Sequence, residues 1–137
     1  MLHSPKFTIG IMTGTSCDGC DIIASKAPFL EHTHAHYFKY PIDLRRKLLN
    51  LINKATISWE SWAQCESDYS HFMADCLQAF LKQSQLTQKH LSCLALHGQT
   101  IRHMPEKQFT IQLLNPYIVN QRLGIPVITD FRRADLA

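Results

Sequence analysis

The stretch "GIMTGTSCDGCD", residues 10–21, decides how the chain is read. It follows the β-branched and apolar "FTIGIM" (7–12) and runs into "DIIAS" (21–25), and both flanks read as strands. Residues 7–25 therefore read as a β-hairpin whose loop carries the motif. Three uses of that loop stand open. Glycines let a backbone come close to a ligand and aim several N–H groups at one anion. Thr13, Thr15 and Ser16 add hydroxyl donors, and Asp18 and Asp21 could hold a magnesium ion directly or through water. It is not a Walker loop, because GxxxxGK[ST] occurs nowhere in the chain. Cys17-Asp-Gly-Cys20 is formally a C-x-x-C, but redox pairs open a helix, whereas Ile22 and Ile23 favour a strand. A structural zinc site would need two more ligands, and no second C-x-x-C exists. The third reading is a hairpin turn without a ligand.

Outward from the loop, "HTHAHYFKY" (32–40) alternates and reads as a third strand. "DLRRKLLNLINK" (43–54) puts Leu44, Leu48, Leu51 and Ile52 on one helical face. A longer helix starts after Ser58 as N-cap, with Glu60 in its first turn, and buries Trp62, Tyr69, Phe72, Met73, Cys76, Leu77 and Phe80. "LSCLAL" (91–96) is nearly all apolar, which suits a strand buried on both faces. "FTIQLL" (109–114) reads as another strand. In "NPYIVNQRLG" (115–124) Asn115 caps a helix, Pro116 opens it and Gly124 ends it. "PVIT" (126–129) is a last strand. Consecutive antiparallel strands followed by crossover helices predict a mixed α/β sheet with ligands at strand ends. "TGTSCDGCD", "HGQT" and "DFRRAD" all lie at such ends.

Composition narrows the classes. The 137 residues fit one domain, 45 % are hydrophobic and 18 % charged, as in ordinary globular proteins. A net charge of +3 with basic residues dispersed apart from the pairs Arg45-Arg46 and Arg132-Arg133 points to no nucleic-acid partner. No run approaches the ~18 apolar residues of a membrane span, and "MLHSPKFTIGIM" lacks the apolar stretch and cleavage site of a signal peptide, so the expected location is the cytoplasm, with no membrane partner. Five cysteines show no disulfide spacing, and Cys76 and Cys93 read as buried thiols. His32, His34 and His36 would share one strand face. They read as a polar face with Ala35 and Tyr37 opposite, or as a zinc or nickel site. His97 and His103 flank "HGQT" and read as loop histidines or as catalytic ones. Trp59, Trp62, Phe72 and Phe80 read as core.

"IGIMTGTSCDGCD", "LALHGQTIRHMP" and "TIQLLNPYIVNQRLGIPVITDFRRADLA", in that order and at this spacing, resemble the N-terminal part of the anhydro-N-acetylmuramic acid kinase family. The likeness runs from residue 9 to 137, with 30–90 matching only in its pattern of elements. It implies an RNase H-like α/β fold of the actin, hexokinase and Hsp70 type, in which the first hairpin meets nucleotide phosphates. It also implies ATP and Mg2+ as cofactors and a bacterial kinase that opens the 1,6-anhydro bridge of its sugar with water and phosphorylates O6. The product, N-acetylmuramic acid 6-phosphate, belongs to the recycling of cell-wall sugars. On this likeness Gly14, Thr15, Ser16, Asp18 and Gly19 contact phosphate, with Asp18 facing the metal. The sugar lies near His97, Gly98, Gln99 and Thr100, and near Asp130, Arg132 and Arg133.

The chain departs from the family pattern at four positions. Cys17 and Cys20 stand where aliphatic residues are usual, so small thiols filling an apolar role are expected there. Leu114-Asn115 replaces a Gly-Asp pair, which removes backbone freedom and one charge while leaving a helix cap. The resemblance also implies an N-terminal ATPase domain over 1–137 that lacks the second domain, the Gly-rich segment and the general-base aspartate. The chain alone is then expected to be inactive, completed by that domain or as a homodimer. The alternative is a non-catalytic remnant that binds nucleotide or a protein partner through the same loop.

Overall fold

The computed structural model describes residues 6–26 and 32–137. Its hairpin is β1 (Phe7–Thr13) and β2 (Gly19–Lys26), followed by β3 (His32–Lys39), α1 (Ile42–Asn53) and α2 (Trp59–Gln83). Then come β4 (Leu91–Leu96), β5 (Gln99–Met104), β6 (Phe109–Leu113), α3 (Pro116–Leu123), β7 (Val127–Ile128) and α4 (Phe131–Leu136). Five strands form one sheet in the order β3-β2-β1-β4-β7. The first three run antiparallel, β4 adds in parallel beside β1, and β7 adds in parallel beside β4. This is the mixed α/β sheet with flanking helices that the sequence predicts.

Alternation along each strand sorts the sheet into two unlike faces. On one face Ile9, Ile11, Cys20, Ile22, Ala24, Leu94 and Leu96 are buried. Leu48 and Leu51 of α1 and Tyr69, Met73, Leu77 and Phe80 of α2 join them in one core cluster. Each large aliphatic side chain sealed there stabilises the fold by about 2–5 kcal/mol relative to alanine. Ser58 caps α2 by accepting from the Ser61 amide at 3.1 Å, as its sequence predicts. The opposite face leaves Met12, Ile23, Tyr37 and Ile128 exposed, with Phe131 of α4 at its border.

Several sequence expectations change here. "LSCLAL" is buried on one face only, because Ser92 is exposed and Cys93 and Ala95 are half-buried on the open side. Trp59 is exposed rather than core, since it stands at the first position of α2, before the buried stripe begins; Trp62 and Phe72 pack partly against the core and Phe80 is sealed in it. His34 and His36 do share a face, opposite Ala24 and Ile22, but that face turns toward the helices. The His36 ring meets Phe80 edge-on at 5.6 Å, and His34 packs at 6.1 Å from Phe7. The His32 side chain lies outside the described residues.

The strand at 109–113 does not join the main sheet. It pairs antiparallel with β5, which the sequence reading left as loop, in a separate two-stranded hairpin. A short 3-10 turn at Pro105–Lys107 and the left-handed Gln108 (φ 57°) reverse the chain there. No helix separates β4 from β6, so a parallel crossover was never available to this segment. The sequence places "DFRRAD" at the end of the last strand, and there the chain forms α4.

Candidate functional site

β1 ends at Thr13 and β2 begins at Gly19, so Gly14–Asp18 is the hairpin loop. Gly14, Thr15, Ser16 and Asp18 are exposed, while Cys17 between them is fully buried with φ 54°. That inward residue plugs the loop into the core and leaves its other side chains facing out. The Asp18 carboxylate lies 3.5 Å from Nε of Arg45 on α1, an exposed ion pair. Asp21 lies instead on the open sheet face, where it lines a groove with Met12 and Ile23. Gly19 is buried, and a Cβ there would lie 2.3 Å from the Phe38 carbonyl oxygen. It is glycine because β3 crosses it closely.

The second segment, His97–Thr100, follows β4 and is buried throughout. Thr13 Oγ1 donates to the Gly98 carbonyl at 2.9 Å, and Gln99 Nε2 donates to the Gly14 carbonyl at 3.0 Å. These bonds lock the segment to the first loop. Gln99 is wholly enclosed and its Oε1 accepts from the Tyr40 hydroxyl at 3.1 Å. Both ends of its amide are thus taken inside the protein. The sequence expectation put Gln99 at the sugar; in the structure its side chain is engaged with Tyr40 and the Gly14 carbonyl.

His97 sits between two cavities of about 290 Å³ each. One is the groove on the open face. The other gathers His97, Gln112 and Thr110 with Thr129, Asp130 and Arg133. Asp130 adopts the left-handed region (φ 72°) ahead of α4, and its Oδ1 accepts from Arg133 Nε at 2.5 Å. A non-glycine residue there stores backbone strain of about 1–3 kcal/mol, a feature that gathers at ligand sites. His97 Nδ1 and Arg132 Nε are buried without a hydrogen-bond partner among the described residues. Burial first, and the nearby Arg132 charge second, hold the His97 imidazole below the ordinary histidine range. It is therefore neutral near pH 7. Of the sugar-side residues named from sequence, His97, Asp130 and Arg133 meet at one pocket, while Gly98 and Thr100 lie behind it.

The family profile described as Anhydro-N-acetylmuramic acid kinase matches residues 6–137. The chain belongs to the anhydro-N-acetylmuramic acid kinase family. Relatives bearing that name from Pseudomonas putida and Vibrio cholerae are each 35 % identical over 94 % of this chain. One from Haemophilus influenzae is 35 % identical over 97 % of it. The chain spans about 36 % of the length of each of these relatives.

Within this anhydro-N-acetylmuramic acid kinase fold the unusual residues find structural places. Cys17 and Cys20 are both fully buried, and burial pushes the Cys17 thiol up. Cys76 of α2 is also raised, first by its hydrogen bond with Cys20 and then by burial. These thiols are core material. Asn115 caps α3 by accepting from the Tyr117 amide at 3.1 Å, and Leu114 keeps an ordinary negative φ while lining the pocket. Sequence reasoning missed Arg45, Tyr40, Thr110 and Gln112. Arg45 stands out in the sequence only as half of the pair Arg45-Arg46, and its place one helical turn into α1 carries it to Asp18. Thr110 and Gln112 became visible only once β5 paired with β6. Gln112 Nε2 donates to Thr110 Oγ1 at 2.7 Å and to Thr100 Oγ1 at 3.3 Å.

Proposed function

We propose that this chain supplies the phosphate loop and part of the sugar pocket of an ATP-dependent kinase acting on 1,6-anhydro-N-acetylmuramic acid. The reaction opens the anhydro bridge with water and phosphorylates O6, giving N-acetylmuramic acid 6-phosphate. The observation that carries this reading is the meeting of two segments 85 residues apart, through the Thr13–Gly98 and Gln99–Gly14 hydrogen bonds. A phosphoryl donor on the first and a sugar beside the second would face each other. The names of the relatives support the substrate.

The outward residues Gly14, Thr15 and Ser16 suit phosphate oxygens, and Arg45, 3.5 Å from the Asp18 carboxylate at the end of the same loop, would offset charge. Mg2+ fits as an ion held mainly by phosphates: among the described residues no cluster of three His, Cys, Asp or Glu could hold a metal, while Asp18 offers one exposed carboxylate. The ion would supply charge neutralisation at the transferring phosphoryl group. His97, Asp130, Arg132 and Arg133 suit a sugar bearing hydroxyls and a lactyl carboxylate. Neutral His97 can accept or donate to a hydroxyl, and the arginines match a carboxylate. No residue in the chain is assigned the general-base role. Turnover draws on residues outside these 137, and the chain alone binds without turning over. That reading accords with its 36 % share of the relatives' length.

Titration calorimetry on the chain with ATP and Mg2+, and separately with the anhydro sugar, tests the proposal. Binding of both is expected, with Arg133→Ala weakening the sugar and leaving ATP alone. Absence of binding to either at millimolar concentration would sink it.

A further inference from the structure

The exposed loop Gly14–Asp18 is held from beneath at both ends by one residue. The Tyr40 amide donates to the Asp18 carbonyl at 2.8 Å. Its hydroxyl donates at 3.1 Å to Gln99 Oε1, and the same amide group passes the hold to the Gly14 carbonyl through Nε2 at 3.0 Å. Donation into Oε1 fixes which end of the Gln99 amide points at Gly14, because Nε2 has only donors to offer a carbonyl. The Tyr40 ring is itself clamped, edge-on against Tyr69 at 6.1 Å and Phe72 at 5.5 Å. Tyr40 is 2 % exposed and Gln99 0 %, so neither can touch a ligand.

We propose that Tyr40 and Gln99 are positioning residues, a latch that sets the backbone of the 14–18 loop in the geometry that receives a phosphoryl donor. The inference deepens the phosphate-loop reading above and rests on it. Buried polar groups left without partners are costly, so the two bonds that run through the Gln99 amide hold or fail together. Burial keeps the Tyr40 phenol protonated far above working pH, so its donation does not lapse. Gln99 thereby makes the sugar-side segment part of the support of the phosphate loop.

Gln99→Met keeps shape and removes both bonds of the Gln99 amide, Tyr40→Phe removes only the hydroxyl's bond to Gln99, and both leave the Tyr40 backbone bond to Asp18 in place. Amide hydrogen exchange on the chain is expected to rise at least tenfold across 14–18 in Gln99→Met. Residues 69–72 of α2, whose Tyr69 and Phe72 rings meet the same Tyr40 ring, should keep their wild-type rates. The double variant should match Gln99→Met alone, as one connected unit requires. An unchanged loop, an equal rise in α2, or effects that add would overturn the latch. ATP affinity, titrated with Mg2+ on the same proteins, should fall about tenfold while anhydro-sugar affinity holds. Equal ATP affinity in variant and wild type would overturn the positioning role. If the wild type binds no ATP, the phosphate-loop reading fails, and the exchange rates alone decide whether the latch exists.

Discussion

The two segments that meet at the site are built in opposite ways. Gly14–Asp18 turns its side chains outward and is tied down by backbone carbonyls and one buried thiol. His97–Thr100 is buried end to end, and the polar atoms of Gly98 and Gln99 serve the protein, while His97 Nδ1 has no partner among the described residues. Both read in the sequence as glycine-bearing polar loops after a strand. Their glycines differ accordingly. In the second segment glycine is demanded by the fold, whereas in the first Gly14 is not, and the phosphate contact proposed for Gly14 would account for it.

The sharpest way to break this contrast is Gly98→Ala. Gly98 holds φ +79°, and a Cβ would lie 2.6 Å from the Leu113 carbonyl oxygen and 2.8 Å from Leu114 Cβ. Left-handed strain and backbone overlap together should cost roughly 3–5 kcal/mol. A denaturant titration would show the loss as a lower midpoint at unchanged slope, and a wild-type midpoint would contradict the close approach of β6 to this segment. Gly19→Ala comes next. Its backbone needs no left-handed conformation, but the Cβ would meet the Phe38 carbonyl at 2.3 Å. Separating β2 from the edge strand β3 should cost about 1–3 kcal/mol, read by the same titration.

The buried segment should also carry a pH signature that the exposed loop lacks. His97 has its folded pKa depressed by burial and by Arg132. Between that value and the ordinary ~6.5 of an unfolded histidine, the unfolded chain binds the extra proton. Stability therefore rises with pH through this window, is fully present above ~6.5 and is lost as pH falls toward the folded pKa. Unfolding midpoints at pH 5 and pH 7.5 should differ less in His97→Gln than in the wild type. An identical difference would place the proton uptake elsewhere.

How much of this was legible depended on whether the deciding interaction was local. The hairpin at 7–26, the Ser58 and Asn115 caps and the Gly124 stop rest on neighbours in sequence, and they stand as read. "QTIRHM" became a strand only through pairing with 109–113, a contact that no periodicity of its own announces. The grouping of His97 with Asp130 and Arg133 was visible through family likeness, and geometry added Thr110 and Gln112 as neighbours. The burial of Gln99 was not legible, because its partners Tyr40 and Gly14 lie 59 and 85 residues away. The one-sided burial of β4 was hidden for a similar reason. Small apolar residues such as Cys93 and Ala95 do not reveal whether anything lies over them.

The smallest expected change in stability is the most informative about function. Gly14 has no left-handed φ, and a Cβ there would meet only Ser16 Oγ at 3.5 Å and the Ser16 amide nitrogen at 4.0 Å, ordinary contacts. Gly14→Ala should therefore leave the unfolding midpoint within about 0.5 kcal/mol of wild type. The Gln99 bond reaches the Gly14 carbonyl from inside and survives the change. What the methyl group does alter is the outer surface, where phosphate oxygens would have to come within hydrogen-bond distance of the backbone. ATP affinity should then fall several-fold at unchanged stability, the reverse of Gly98→Ala, which spoils the fold first. If Gly14→Ala binds ATP as the wild type does, the loop's glycine serves neither fold nor phosphate, and the contrast between the two segments reduces to burial alone.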